Sequence, residues 1–145
     1  MKLEITRKAD LATRALLVLG RADDRWKAKD LAHDLGTTPG FLTQVMAPLV
    51  THRWVHSEPG PAGGYRAVVE LSAINVLEVI EAVEGPVDTE HCVLEDRTCK
   101  SGGACALHQP WSRARTQLLA ELAATPLSTL PAPQGAAPRN QRKPR

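Results

Sequence analysis

The sequence predicts a mainly helical protein with one small β-hairpin. Three observations carry that expectation. Apolar residues recur at helical spacing in several separate stretches of the 145-residue chain. A single glycine- and proline-rich segment, Glu58 to Tyr65, is flanked by short runs of alternating character. Stop residues, Gly20, Gly36 and Gly85-Pro86, fall where the helical patterns end.

Taken in order, Leu11, Ala12, Ala15, Leu16 and Leu19 share one face of a helix from Arg7 to Gly20. After the turn Ala22-Asp23-Asp24, residues Ala28 to Leu35 predict a short second helix with Leu31, Ala32 and Leu35 facing inward. Thr38 is placed to cap a third helix and Pro39 to open it, with Phe41, Leu42, Val45, Met46 and Leu49 along its length. Pro48 removes one backbone hydrogen bond and bends the second half of that helix. Two short helices joined by Gly36-Thr37-Thr38 make a helix-turn-helix candidate. The segment Arg53-Trp54-Val55-His56-Ser57 alternates like a strand, Val68-Val69 closes a second one, and the glycines between them supply the hairpin tip. A helix-turn-helix followed at once by a hairpin is the order of a winged helix. Ser72 is then placed to cap a fourth helix containing Ile74, Val76, Leu77, Val79, Ile80 and Val83. A loop from about Val87 to Ala106 holds every cysteine, and Trp111, Ala114, Leu118, Leu119 and Leu122 stripe a long last helix that Pro126 stops.

The expected organisation is a winged helix-turn-helix DNA-binding domain over residues 1–70, a loop and long helix over 71–131, and a disordered basic tail over 132–145. Charge follows the same division. Residues 1–70 carry ten Lys/Arg against eight Asp/Glu, 71–131 four against eight, and 132–145 four against none. A basic front and tail suit a polyanionic partner, though weakly. Aromatic content of 3% argues against RNA or single-strand stacking platforms. The apolar run Ala15 to Leu19 is too short for a secretory core or a membrane span, so a cytoplasmic protein is expected.

The helix-turn-helix places its base-contacting candidates at the start of the third helix: Thr38, Gly40, Thr43, Gln44 and Ala47. Gln44 can pair bidentately with adenine, and Thr43 can meet a phosphate or a thymine methyl. In the wing, Gly63, Gly64, Tyr65 and Arg66, together with Arg53 on the first strand, are the phosphate-contact candidates. An odd number of cysteines in a reducing compartment points to metal binding or redox chemistry rather than disulfides. Cys92, Cys99 and Cys105 lack the tight pairs usual at zinc sites, and the residues alone leave iron-sulfur and zinc both open. His108, three residues after Cys105, shares its side of a nascent helix; His91 is less well placed. Asp10 reads by itself as an acid favoured at a helix start, and His33, His52 and His56 as surface residues. No nucleophile elbow, phosphate loop or paired-carboxylate spacing points to an enzyme.

Ala9-Asp10-Leu11-Ala12-Thr13-Arg14-Ala15-Leu16, Gly63-Gly64-Tyr65, Glu84-Gly85-Pro86 and the three cysteines together resemble the Rrf-type winged-helix transcription regulators. That group includes the cluster-assembly regulator IscR, the nitric-oxide sensor NsrR and the iron regulator RirA, and the resemblance covers roughly residues 1–130. It implies a homodimer paired through the long helix, with Trp111, Ala114, Leu118 and Leu122 at the interface, and two recognition helices on a palindromic double-stranded operator. It implies also that Cys92, Cys99 and Cys105 hold an iron-sulfur cluster. The fourth ligand in IscR-like proteins corresponds to His108, with a 2Fe-2S cluster; in NsrR-like proteins it corresponds to Asp10 of the partner subunit, with a 4Fe-4S cluster. Two features depart from the group: six residues, not five, separate Cys92 from Cys99, and Pro59 stands after Glu58 where many relatives carry a wing arginine. The expected function is a DNA-binding regulator, a repressor, whose cluster senses nitric oxide, redox state or iron supply. The competing expectation is a zinc-stabilised or metal-free interaction module that does not read DNA.

Overall fold

A computed structural model describes residues 1, 3–99 and 103–134. Its elements are α1 (Arg7–Gly20), α2 (Ala28–Leu35), α3 (Pro39–Thr51), β1 (Val55–Glu58), β2 (Gly64–Ala67), α4 (Val76–Glu84) and α5 (His108–Ala123), with 3-10 turns at Leu71–Ala73 and Leu127–Thr129. The expectation of a mainly helical chain with one hairpin is met, in the order of a winged helix.

Helix α1 is the axis of the fold. Eight of its residues are buried, from Ala9 through Leu19, because it is packed by α2, α3, α4, β2 and both 3-10 turns. Thr6 caps it, accepting the amide of Ala9 at 3.1 Å. Gly36 ends α2 in the left-handed conformation, at φ 68°. Two residues later Thr38 caps α3 by accepting the amide of Phe41 at 3.2 Å. Leu42, Val45, Met46 and Leu49 form the inward face of α3, and Pro48 is accommodated without ending the helix before Thr51.

The hairpin is displaced from its expected position. β1 begins at Val55 rather than Arg53, because Arg53 takes a left-handed turn conformation, at φ 59°. β2 ends at Ala67, so Val68-Val69 lie beyond it. The register pairs Val55 with Ala67, His56 with Arg66, Ser57 with Tyr65 and Glu58 with Gly64. Trp26 adds a one-residue third strand, exchanging both backbone hydrogen bonds with Tyr65 at 2.8 Å.

The fourth helix also starts later than expected. Ser72 sits in a 3-10 turn and Ile74 is extended, and the cap is Asn75, which forms a reciprocal capping box with Glu78. Beyond α5 the chain returns to this point. Val76 donates to the Thr125 carbonyl at 3.0 Å, Leu127 donates to that of Ile74 at 2.9 Å, and the Leu127 side chain is completely buried in the core. One contiguous apolar core therefore contains residues of α1, α2, α3, β1, β2, α4 and the 127–129 turn. No residue of α5 is fully buried. The tail expected to be disordered lies, from residue 135 onward, outside the described residues.

Candidate nucleic-acid interface and metal centre

The exposed face of α3 carries the predicted reading residues. Thr38, Gly40, Thr43, Gln44 and Ala47 are all exposed, opposite the buried face that anchors the helix. The Thr43 hydroxyl donates to the Pro39 carbonyl at 3.0 Å, which leaves Gln44 as the long polar side chain near the helix start. Arg7, at the start of α1, donates to the Gly36 carbonyl at 3.3 Å and steadies the turn before α3.

In the wing, the predicted residues divide by role. Arg53 and Arg66 are exposed. Tyr65 is corrected from a phosphate contact to a core residue, since it is 8% exposed and its strand parity turns the ring inward. Gly63 and Gly64 allow backbones to meet: a Cβ on Gly63 would lie 2.0 Å from the Glu58 oxygen, and one on Gly64 2.2 Å from that of Trp26. Glu58 is held by an ion pair with Arg25, which offsets an acidic charge next to the tip of the wing.

The cysteine loop joins α4 to α5 and is folded by its own backbone. The Asp88 carboxylate accepts the amides of Glu90 at 2.9 Å and His91 at 3.1 Å, which holds its pKa below the ordinary 3.8. Cys92 donates its amide to the Arg97 carbonyl at 2.8 Å, and Cys99 donates to Glu90 at 3.2 Å. Arg115, reaching from α5, donates to the carbonyls of Thr89 at 2.6 Å and Asp88 at 3.4 Å. The result brings the three sulfurs within 4.8 Å of one another. Cys92 and Cys99 are buried and Cys105 is half-buried. The amide of Leu94, 3.5 Å from the Cys92 sulfur, draws that thiol's pKa down, whereas burial pushes that of Cys105 up. Converging thiols with one favoured as thiolate fit a soft metal or an iron-sulfur cluster.

His108 is the first residue of α5, donates its amide to the Cys105 carbonyl at 3.1 Å, and lines one small cavity with Cys99, Cys105, His91, Trp111 and Arg115. Asp10 lies on α1, 3.7 Å from Arg14. Along α5, Ala114 and Leu118 are exposed, Leu118 by 47%, and Trp111 and Leu122 are half-buried.

Sequence reasoning missed the loop's supports. Arg97 and Arg115 carry no local signal of that role, whereas an aspartate that accepts the amides two and three residues later is the pattern of an Asx turn, as at Asp88. Glu84 was noted only within Glu84-Gly85-Pro86; its carboxylate accepts the amide and hydroxyl of Thr6, at 3.1 and 2.6 Å.

Residues 5–133 match the Rrf2 family of iron-dependent transcriptional regulators, and the chain belongs to that family. The HTH-type transcriptional regulator IscR of Yersinia pestis is 32% identical over 111 residues, covering 75% of this chain and 67% of that protein. The structure of CymR, the global cysteine regulator of B. subtilis, superimposes with a TM-score of 0.68 at 26% identity over 88% of this chain and 95% of that one. IscR of T. potens shares the fold, with a TM-score of 0.65 at 22% identity, over 88% of this chain and 85% of that one. The protein is accordingly a winged-helix, DNA-binding transcriptional regulator and not an enzyme. No helix among the described residues is long and apolar enough to cross a membrane.

Proposed function

We propose that this regulator is a homodimeric repressor, active in the cytoplasm, whose binding to a palindromic operator is governed by an iron-sulfur cluster on Cys92, Cys99 and Cys105. The observation that carries the reading is the gathering of all three sulfurs within 4.8 Å in a loop between the winged helix and α5. His108 or Asp10 of the partner subunit supplies the fourth ligand; the cavity that His108 shares with Cys99 and Cys105 favours the histidine. A cluster ligated by three thiolates near the surface supplies sensitivity to nitric oxide, oxidants or iron supply.

The chain's own contacts give the loop a route to α3. Glu84, at the end of α4, holds Thr6; Thr6 caps α1; and Arg7, the next residue, holds the Gly36 carbonyl before the reading helix. A change in the loop that repositions α4 is felt at Gly36, and in a dimer it alters the relation of two recognition helices. Thr38, Gly40, Thr43 and Gln44 face the operator, with Arg53 and Arg66 on phosphates, and Gly63, Gly64 and Tyr65 shape the wing. Trp111, Ala114, Leu118 and Leu122 form the dimer contact.

The test is anaerobic purification with absorbance, iron and sulfide counting, and DNA binding across a salt series. Coloured protein that loses its absorbance in Cys99→Ala and Cys105→Ala is expected. His108→Ala against Asp10→Ala then assigns the fourth ligand, and Gln44→Ala is expected to cost about 1–3 kcal/mol of base discrimination. Colourless protein holding one equivalent of zinc overturns the cluster reading.

A further inference from the structure

One residue, through its backbone and its side chain, bonds to the cysteine loop near each of the three cysteines. The Arg97 carbonyl accepts the Cys92 amide at 2.8 Å. Its guanidinium donates from Nη1 to the carbonyl of Thr98 at 3.3 Å and of Gly103 at 3.2 Å. Thr98 adjoins Cys99, and Gly103 lies two residues before Cys105, so one residue ties down the backbone beside all three cysteines. The Glu95 carboxylate holds Nε from the other side, and the Arg97 side chain is only 29% exposed.

We propose that Arg97 is a positioning residue that preassembles the three-thiol site and offsets the negative charge gathered there when the thiolates bind metal. This rests on reading the cysteines as metal ligands. Two effects combine in the one side chain. Its planar fork fixes loop geometry before the metal arrives, which removes part of the ordering cost of binding. Its positive charge favours the more reduced, more negative state of a bound cluster. Arg97→Lys keeps the charge without the fork, and Arg97→Gln keeps a donor without the charge.

The experiment titrates the reduced, metal-free protein with Co2+, followed by thiolate-to-cobalt absorbance. The same variants, reconstituted with iron and sulfide, are compared by midpoint potential. Arg97→Gln is expected to weaken cobalt binding about tenfold and to lower the potential by about 59 mV, a tenfold shift in a one-electron equilibrium. Arg97→Lys is expected to recover the potential while leaving part of the cobalt defect. Cobalt binding by Arg97→Gln within about twofold of the parent, with an unshifted potential, overturns the proposal, and unchanged circular dichroism secures the comparison. Parent protein that binds cobalt through thiolates yet assembles no cluster overturns the cluster reading alone; the cobalt series then decides the role of Arg97.

Discussion

Gly64 shows how little freedom the wing has at single positions. It lies at φ 143° with its Cα against the Trp26 carbonyl, which is fixed in turn by its exchange of hydrogen bonds with Tyr65. Gly64→Ala is expected to destabilise the fold by about 1–3 kcal/mol from backbone strain alone, with the clash adding to it. A urea or thermal melt measures this directly, and an unchanged midpoint would show that β2 can shift away from Trp26. The neighbouring Tyr65 illustrates a limit of the sequence at this scale. Beside two glycines at a hairpin it looks like a surface contact, but in strands of four residues the parity is set by register, which a sequence without a fixed turn does not reveal. Gln44 was legible because helical spacing from the apolar residues Leu42 and Val45 leaves it outside.

The elements were largely legible where stop and cap residues mark them. Gly20, Gly36, Thr38 and Pro39 bound α1, α2 and α3 as expected. The start of α4 was misplaced because Ser72 and Asn75 are both good caps, yet only Asn75 has a glutamate three residues later to complete the box. The loop was legible in its ligands and not in its folding, since hydrogen bonds such as Arg115 to Thr89 span 26 positions and have no local signature. Asp88 offers a test at this scale. The amides of Glu90 and then His91 depress its pKa in the folded loop. Its contribution is therefore complete above the ordinary value of 3.8 and is lost as pH falls through the lower folded value. The Glu90 and His91 amides are expected to lose protection, measured against their intrinsic exchange rates at each pH, only in that acidic window. In Asp88→Ala they should exchange rapidly at neutral pH as well, and protection equal to the parent's would remove Asp88 from the loop's support.

At the scale of the whole molecule, the feature least visible in the sequence is the return of the chain after α5. Leu127 follows a proline that reads only as a stop, yet it is completely buried, bonded through its amide to Ile74, in a core whose other fully buried described residues precede position 80. Leu127→Ala is expected to cost about 2–5 kcal/mol, the range for emptying a packed leucine site. Chemical denaturation gives the value, and a loss below about 1 kcal/mol would show that the 127–129 turn is dispensable. The α5 stripe was legible by period; in the single chain α5 packs against α4 and none of its residues is fully buried. The staple at Asn75 and Pro126 joins the start of α4 to the end of α5, and the cysteine loop connects the other ends of the two helices. The pair thus has the geometry of tweezers, fastened at the staple and bridged at the tips by the loop. With about 1.5 Å of rise per residue, α5 makes an arm of roughly 24 Å, so a displacement of about 1 Å at the tips is a rotation of only two to three degrees, roughly, at the hinge. On the proposed cluster reading, small rearrangements around the sulfurs are expected to emerge as tilt between α4 and α5.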